Sequence, residues 1–380
     1  MDGCLASHDQ AALALRLLLG TTLTGRHVGR LSAEVGNELV AQRDADVTLR
    51  RRRRLPPRSE APEAAAVEVD GGRIRTRAVE QGPGVHQFQH KEEKVACLVS
   101  LKSSTHETDP RPDVPAFLLN ARRVRRLVQQ IKGGTTAEAE PANPAEVALA
   151  EAEAVEATGP KKLVRTCVAS MAKSRLFGPM MAAEAQSRGF YAAKKKAFVA
   201  DGLAYNWRIH KGYFADFEPV VDFLHVVCYL YLAAQAVGED EPSRWSAYLG
   251  WARDCWQGRA AEATAELKVW RERLGRGPPS EADRAERLKA VQDAARYLSN
   301  NQGRMDYPRY RRQGLPVTSS LVESLVGEFN ARLKGTNKYW NRPAGAEAML
   351  QVRAAVLSDD DRLARYFAQR PGNPFRRKAR

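Results

Sequence analysis

The chain has little of what marks secreted, disulfide-stapled or membrane-spanning proteins. Only five cysteines occur in 380 residues (Cys4, Cys97, Cys167, Cys228 and Cys255), an odd number with no two close together. That spacing argues against a disulfide framework and against a Cys-x-x-Cys zinc module. Long apolar runs are lacking too: the best, Val220 to Val237, is broken by Asp222, His225 and Gln235, so no bilayer span is expected. Met1-Asp2-Gly3 has no basic n-region, so no secretory signal is expected either. Acidic residues are short relative to basic ones, 45 Asp and Glu against 60 Lys and Arg, which gives a formal charge of +15. A basic surface of this size draws polyanions by releasing their counterions, so nucleic acid is the expected partner, in the cytoplasm and associated with the nucleoid. Hydrophobic residues make up 43%, enough for a globular fold.

Residues 1–48 read as helical, with a glycine-containing turn at Thr24-Gly25-Arg26 that fits either a helix-turn-helix or an ordinary helical hairpin. Arg50, Arg51, Arg52, Arg53 and Arg54 form an unbroken basic run, read as a solvated arm able to lie on a phosphate backbone. From Ala64 the pattern becomes strand-like. Val67 and Val69 share one face, Glu68 and Asp70 the other, and Gly71-Gly72 reads as a turn into a second strand, Arg73–Arg77. Val95–Leu101 reads as a third strand, residues 133–160 as an Ala/Glu/Pro/Gly-rich linker, and Lys161 to about Lys196 as a long helix. Ala197–Ala200 is a short apolar strand ending in Asp201-Gly202, and Pro219–Phe223 another, leading into a helix from His225 to Val237. Residues 238–315 are helical, charged and rich in tryptophan, and are expected to be a separate all-α insertion.

Three acids stand out by position: Asp70 ending an early strand, Asp201 ending a later buried one, and Glu323 on a helix near the C-terminus. Each has a plain structural reading: Asp70-Gly71-Gly72 as a hairpin, Asp201-Gly202 as a turn, Ser320 and Glu323 as a capping box. Together they also describe a ribonuclease H fold, in which two neighbouring strands and a helix over their ends bring three carboxylates to one place. Carboxylates are the ligands that Mg²⁺ or Mn²⁺ takes, and two such ions about 3.5–4 Å apart clamp both the attacking and the leaving oxygen of a phosphodiester. On this reading Asp70 bridges both ions. Asn330 and Lys334 share a flank of the Glu323 helix and, with Lys338, Trp340 and Arg342 beyond it, are expected to hold DNA, Trp340 by stacking on an unpaired base. His225, three residues after Asp222, is either an ordinary histidine or a group that positions the scissile phosphate.

At these stretches the chain resembles the DDE transposases of bacterial insertion sequences, near the ISKra group and distantly similar to Mutator-like transposases. The matching pieces are Val-Glu-Val-Asp-Gly-Gly-Arg at 67–73, Lys-Val-Ala-Cys-Leu at 94–98, Ala-Phe-Val-Ala-Asp-Gly-Leu-Ala-Tyr-Asn-Trp at 197–207, Pro-Val-Val-Asp-Phe-Leu-His at 219–225, Ser-Leu-Val-Glu-Ser at 320–324 and Lys-Gly-Thr-Asn-Lys-Tyr-Trp at 334–340. The resemblance implies that Asp70, Asp201 and Glu323 are the catalytic, metal-holding acids, with Asp222 and His225 as an auxiliary Asp-x-x-His element. It implies an α/β fold: a ribonuclease-H-like mixed sheet with an all-α insertion and a helical N-terminal region. The expected organisation is a helical region with an arginine arm at 1–60, the core at 61–237, the insertion at 238–315, and the catalytic helix with a basic tail at 316–380. It further implies cleavage at terminal inverted repeats, joining of the freed 3′-hydroxyl to target DNA, and a homodimer or larger assembly on DNA. A related nuclease that cuts without joining, and a DNA-binding regulator descended from such an enzyme, fit the same residues.

Overall fold

The structure, a computed structural model, describes residues 2–5, 7–77, 88–132, 159–276, 282–319, 327–329, 333, 340 and 343–370. Among these residues the chain is mixed α/β, with one five-stranded sheet and twelve α-helices. The strands are β1 (Ala64–Arg77), β2 (Phe88–Lys102), β3 (Lys161–Ser170), β4 (Lys195–Ala200) and β5 (Glu218–Val221), in the order β3-β2-β1-β4-β5. β2 runs antiparallel to both its neighbours, while β1, β4 and β5 are mutually parallel. β1 is therefore the central strand.

Two sequence expectations are corrected here. Gly71-Gly72 is no turn: β1 passes straight through it, with Gly71 opposite Lys94 and Gly72 opposite Glu93. The glycine serves close approach instead, since a methyl on Gly71 would stand 2.8 Å from the Glu93 carbonyl oxygen. Asp70 thus lies in mid-strand rather than at a strand end. The long helix expected from Lys161 to about Lys196 is also corrected at both ends, because Lys161–Ser170 pairs with β2 as an edge strand, helix runs only from Ser174 to Ser187, and Lys195 already begins β4. Pairing with a preformed neighbour outweighs the local pattern, as is usual for strands.

One face of the sheet is covered by α4 (Ser174–Ser187) and α5 (Ala204–Tyr213), with Val67, Val69, Leu98, Phe177 and Phe198 in a common core. The opposite face is covered in two parts. Over β1 to β3 lie Phe329, Leu333 and α11 (Pro343–Val356). Over β4 and β5 lies α6 (Phe223–Val237), so apolar that most of it is buried. α3 (Ala121–Lys132) packs on α6, as do α7 (Glu241–Trp256) and α9 (Ala282–Asn301); α8 (Ala260–Gly275) and α10 (Tyr307–Arg312) complete that layer. Trp251, Trp256, Tyr248 and Tyr307 are fully buried there beside Val199, Val220 and Phe223, so these helices share one core with the sheet. Residues 1–48 are helical as expected: α1 (His8–Leu19), then α2 (Gly25–Arg51), a 27-residue helix lying along α11. Contact there is so close that a methyl on Gly36 would run into the Ala348 backbone. α12 (Arg362–Gln369) follows α11. No helix among the described residues is long and apolar enough to cross a membrane.

Candidate metal centre

The direction of Asp70 follows from strand alternation. Val67 and Val69 enter the core beneath α4 and α5, so Asp70 projects from the other face. β1 and β4 stay in register as far as Val69 opposite Ala200, which makes Asp70 and Asp201 the next residues on adjacent parallel strands. Beyond Ala200 the chain turns sharply at Gly202, whose φ of 87° suits glycine. Asp201 is held in that turn. Its Oδ1 accepts from the Leu203 N–H at 3.0 Å and the Asn206 amide at 2.8 Å. The Tyr297 hydroxyl of α9 donates to the Asp201 carbonyl at 3.0 Å. A side chain at Gly202 would strike Tyr297 and Asn301, so α9 fits against the turn itself.

The third group comes from β5 and α6. Asp222 is fully buried; its backbone N–H donates to the Ala200 carbonyl at 2.9 Å, and its side chain caps α6. Oδ1 accepts from Leu224 N–H at 3.2 Å and Ser319 N–H at 2.9 Å. Oδ2 accepts from His225 N–H at 3.3 Å and lies 2.6 Å from His225 Nδ1. With both oxygens engaged, Asp222 orients the imidazole, leaving Nε2 as the nitrogen offered to the two acids. One ligand atom each from Asp70, Asp201 and His225 lies within 4.8 Å of the other two.

Burial pushes the Asp70 carboxyl up to about 6; the charges of Asp201 and Asp222 add to this, while His225 and the Gly71 N–H pull it down. Burial disfavours a charged His225, yet the hydrogen bond and charge of Asp222, reinforced by Asp201 and Asp70, hold its pKa above the ordinary value. Asp222 in turn is held below the usual carboxylate range: burial opposes its charge, but His225 and Ser319 prevail. The donor set suits a hard divalent cation. Octahedral bonds of about 2.0–2.1 Å place ligand atoms roughly 3–4 Å apart, so groups within 4.8 Å need only a small adjustment to share one ion. Imidazole is a softer donor than Mg²⁺ prefers, which assigns the ion to the two carboxylates first.

Of the residues singled out from sequence, Asp70, Asp201 and His225 meet, with Asp222 behind His225. Glu323, Asn330, Lys334, Lys338 and Arg342 lie outside the described residues. Trp340 is half-buried against the α11 core, with its backbone N–H on the Arg75 carbonyl (3.0 Å) and its indole N–H on the Leu333 carbonyl (3.2 Å). That placement ties Trp340 to β1, a packing role. The arginine run is not a uniform arm. Arg50 and Arg51 are the last turn of α2, and Arg50 sits over the Tyr191 and Tyr213 rings while donating to the Tyr191 hydroxyl at 3.2 Å. Arg51 to Arg54 are exposed. Sequence reasoning missed Asn206, Tyr297, Asn301 and Ser319. Asn206 was within reach, five residues past Asp201 on the following helix; nothing local to Tyr297, 96 residues away, points to Asp201.

No known protein family matches the chain, and no curated protein matches it. Fold and site together define an α/β protein with a carboxylate and imidazole cluster where β4 ends beside the middle of β1 beneath a helical layer.

Proposed function

We propose that the chain is a DDE-type transposase of a bacterial insertion sequence, with a ribonuclease-H-like core and a dependence on Mg²⁺ or Mn²⁺. The observation that carries this reading is that Asp70 and Asp201, 131 residues apart, meet on neighbouring parallel strands beside His225. The mixed sheet, with β1 central and only β2 reversed, is the sheet such a core needs. A further support is the Ser319 N–H on Asp222, because Glu323 follows four residues later and a four-residue tether reaches at most about 14 Å.

Bound between the carboxylates, the divalent cation would supply Lewis-acid stabilisation of phosphoryl transfer. Asp70 and Asp201, with Glu323, would hold it. Asn206 and the Leu203 N–H fix the Asp201 carboxylate, and Tyr297 fixes its backbone. His225, oriented and charged by Asp222, offers Nε2 to a phosphate oxygen at the scissile bond. The chemistry is hydrolysis at the element end, then in-line attack of the released 3′-hydroxyl on a target phosphodiester. Two ends must be joined, so two or more copies assemble on DNA.

The test is an end-labelled duplex carrying the element's own terminus, incubated with Mg²⁺ and target DNA. The parent should nick it and form joined products, and Asp70→Ala should lose at least about a thousandfold in rate. Equal cutting by parent and variant would refute the metal assignment. Cutting that never yields joined product would favour the nuclease, and binding without Mg²⁺-dependent nicking the regulator.

A further inference from the structure

α3 carries a charge pattern that the metal centre does not use. Its sequence, ARRVRRLVQQIK, holds five cations and no acid in 12 residues. Val124 and Val128 are buried, with Leu127 and Ile131 beside them against the α6 core. At 100° per residue, Arg122, Arg126 and Gln129 fall opposite that stripe, at i, i+4 and i+7. All three are exposed, and among the described residues neither Arg122 nor Arg126 has an acidic partner. Arg125 differs, since it reaches Glu241 at 3.2 Å. Among the described residues the row therefore has no counter-charge, and the self-repulsion of such a row is a cost that an anionic partner would remove.

An independent observation ties this row to the site. At the end of α3, Lys132 Nζ lies 3.8 Å from the centre of the Tyr229 ring. Tyr229 stacks on Tyr297 at 4.0 Å, and the Tyr297 hydroxyl holds the Asp201 carbonyl. Tyr229 is also one helical turn beyond His225 on α6. The C-terminal end of α3 therefore abuts the wall of the metal centre, and the row leads away from it.

We propose that Arg122, Arg126 and Lys132 form a track for one strand of a DNA duplex, contacting phosphates spaced along it and delivering the scissile one to Asp70 and Asp201. From residue 122 to 132 a helix rises about 15 Å, roughly four nucleotide steps at 3.4 Å each. The exposed row has no aromatic ring, so it grips backbone rather than unstacked bases, and the contact is independent of sequence. Gln129 adds a neutral donor between the charges. This track rests on the proposal of a DNA-processing enzyme.

Equilibrium binding of a fluorescent duplex without divalent metal, across a salt series, tests it. Arg122→Ala/Arg126→Ala should weaken binding and reduce the slope of log K against log salt by about 2. The control Lys268→Ala/Arg271→Ala, which removes the same charge from exposed positions on α8, should leave the slope within about half a unit of the parent's. Both doubles should keep the parent's melting temperature. An unchanged slope in the α3 double, or an equal fall in both doubles, would overturn the track while leaving the enzyme reading intact. A parent that binds no duplex at any salt would overturn both.

Discussion

Asp70, Asp201 and His225 crowd three ionisable groups into a space suited to one cation, and the energetics of each should register that strain. The Asp70 carboxyl, raised from 3.8 to about 6, keeps a proton in the folded protein that the unfolded chain has already released. A raised acid of this kind makes metal-free stability fall as pH climbs between those two values. Asp70→Asn removes the penalty, so it should melt a few degrees higher than the parent at pH 7.5 in EDTA and no higher at pH 4. Thermal melts at the two pH values decide this, and Mg²⁺ should raise the parent's melting temperature but not the variant's. Asp222 behaves in the opposite sense. Its carboxylate is fully buried and shared among a helix cap, an imidazole and the Ser319 N–H. Asp222→Ala should cost roughly 3 kcal/mol or more by leaving those partners unmet. Asp222→Asn keeps the cap but loses the charge, so burial then dominates and His225 should titrate lower, as imidazole NMR would show. Cleavage should fall about 10–100-fold in that variant.

Among the elements, the C-terminal helix is held by charge rather than by apolar burial, because α12 buries no residue fully. Arg362 reaches Glu184 of α4 at 2.5 Å and Asp360 at 2.8 Å, and Arg370 reaches Glu34 and Glu38 of α2. Burial alone would raise the Glu184 and Asp360 carboxyls, but Arg362 holds both below their ordinary values. Depressed acids contribute stability at neutral pH that is lost as pH falls below the usual carboxylate range. Hydrogen exchange should therefore show α12 opening in acid before the sheet does, and Arg362→Ala should open it already at pH 7. The same scale shows what could be read in the sequence. β4 and β5 were legible because their apolar runs are short and lead to Asp201 and Asp222, and α6 because a longer apolar run follows Asp222. The break at Gly71-Gly72 was misread, since a glycine pair in a strand looks like a turn until a second strand is known to press against it. β3 was misread as helix because its pairing partner, β2, lies some sixty residues earlier in the chain. At the site, the acids and the histidine were legible as residues. The Tyr297 and Asn301 buttress was not, because it depends on how α9 lands on a turn nearly a hundred residues before it.

For the molecule as a whole, a formal charge of +15 is set against an anionic pocket of three aspartates around one imidazole. That contrast suits a protein that gathers a polyanion over its surface and needs a divalent cation where the backbone is cut. It also predicts that duplex binding persists without metal while cleavage does not, which a gel-shift and a nicking assay on the same samples would check. The most direct measurement is anomalous diffraction from crystals soaked in Mn²⁺. A peak is expected between the carboxylates of Asp70 and Asp201, within about 2.3 Å of an oxygen from each, and it should be lost in Asp70→Ala crystals. Saturating Mn²⁺ that leaves this position empty in the parent, with Asp70 and Asp201 still side by side, would contradict it.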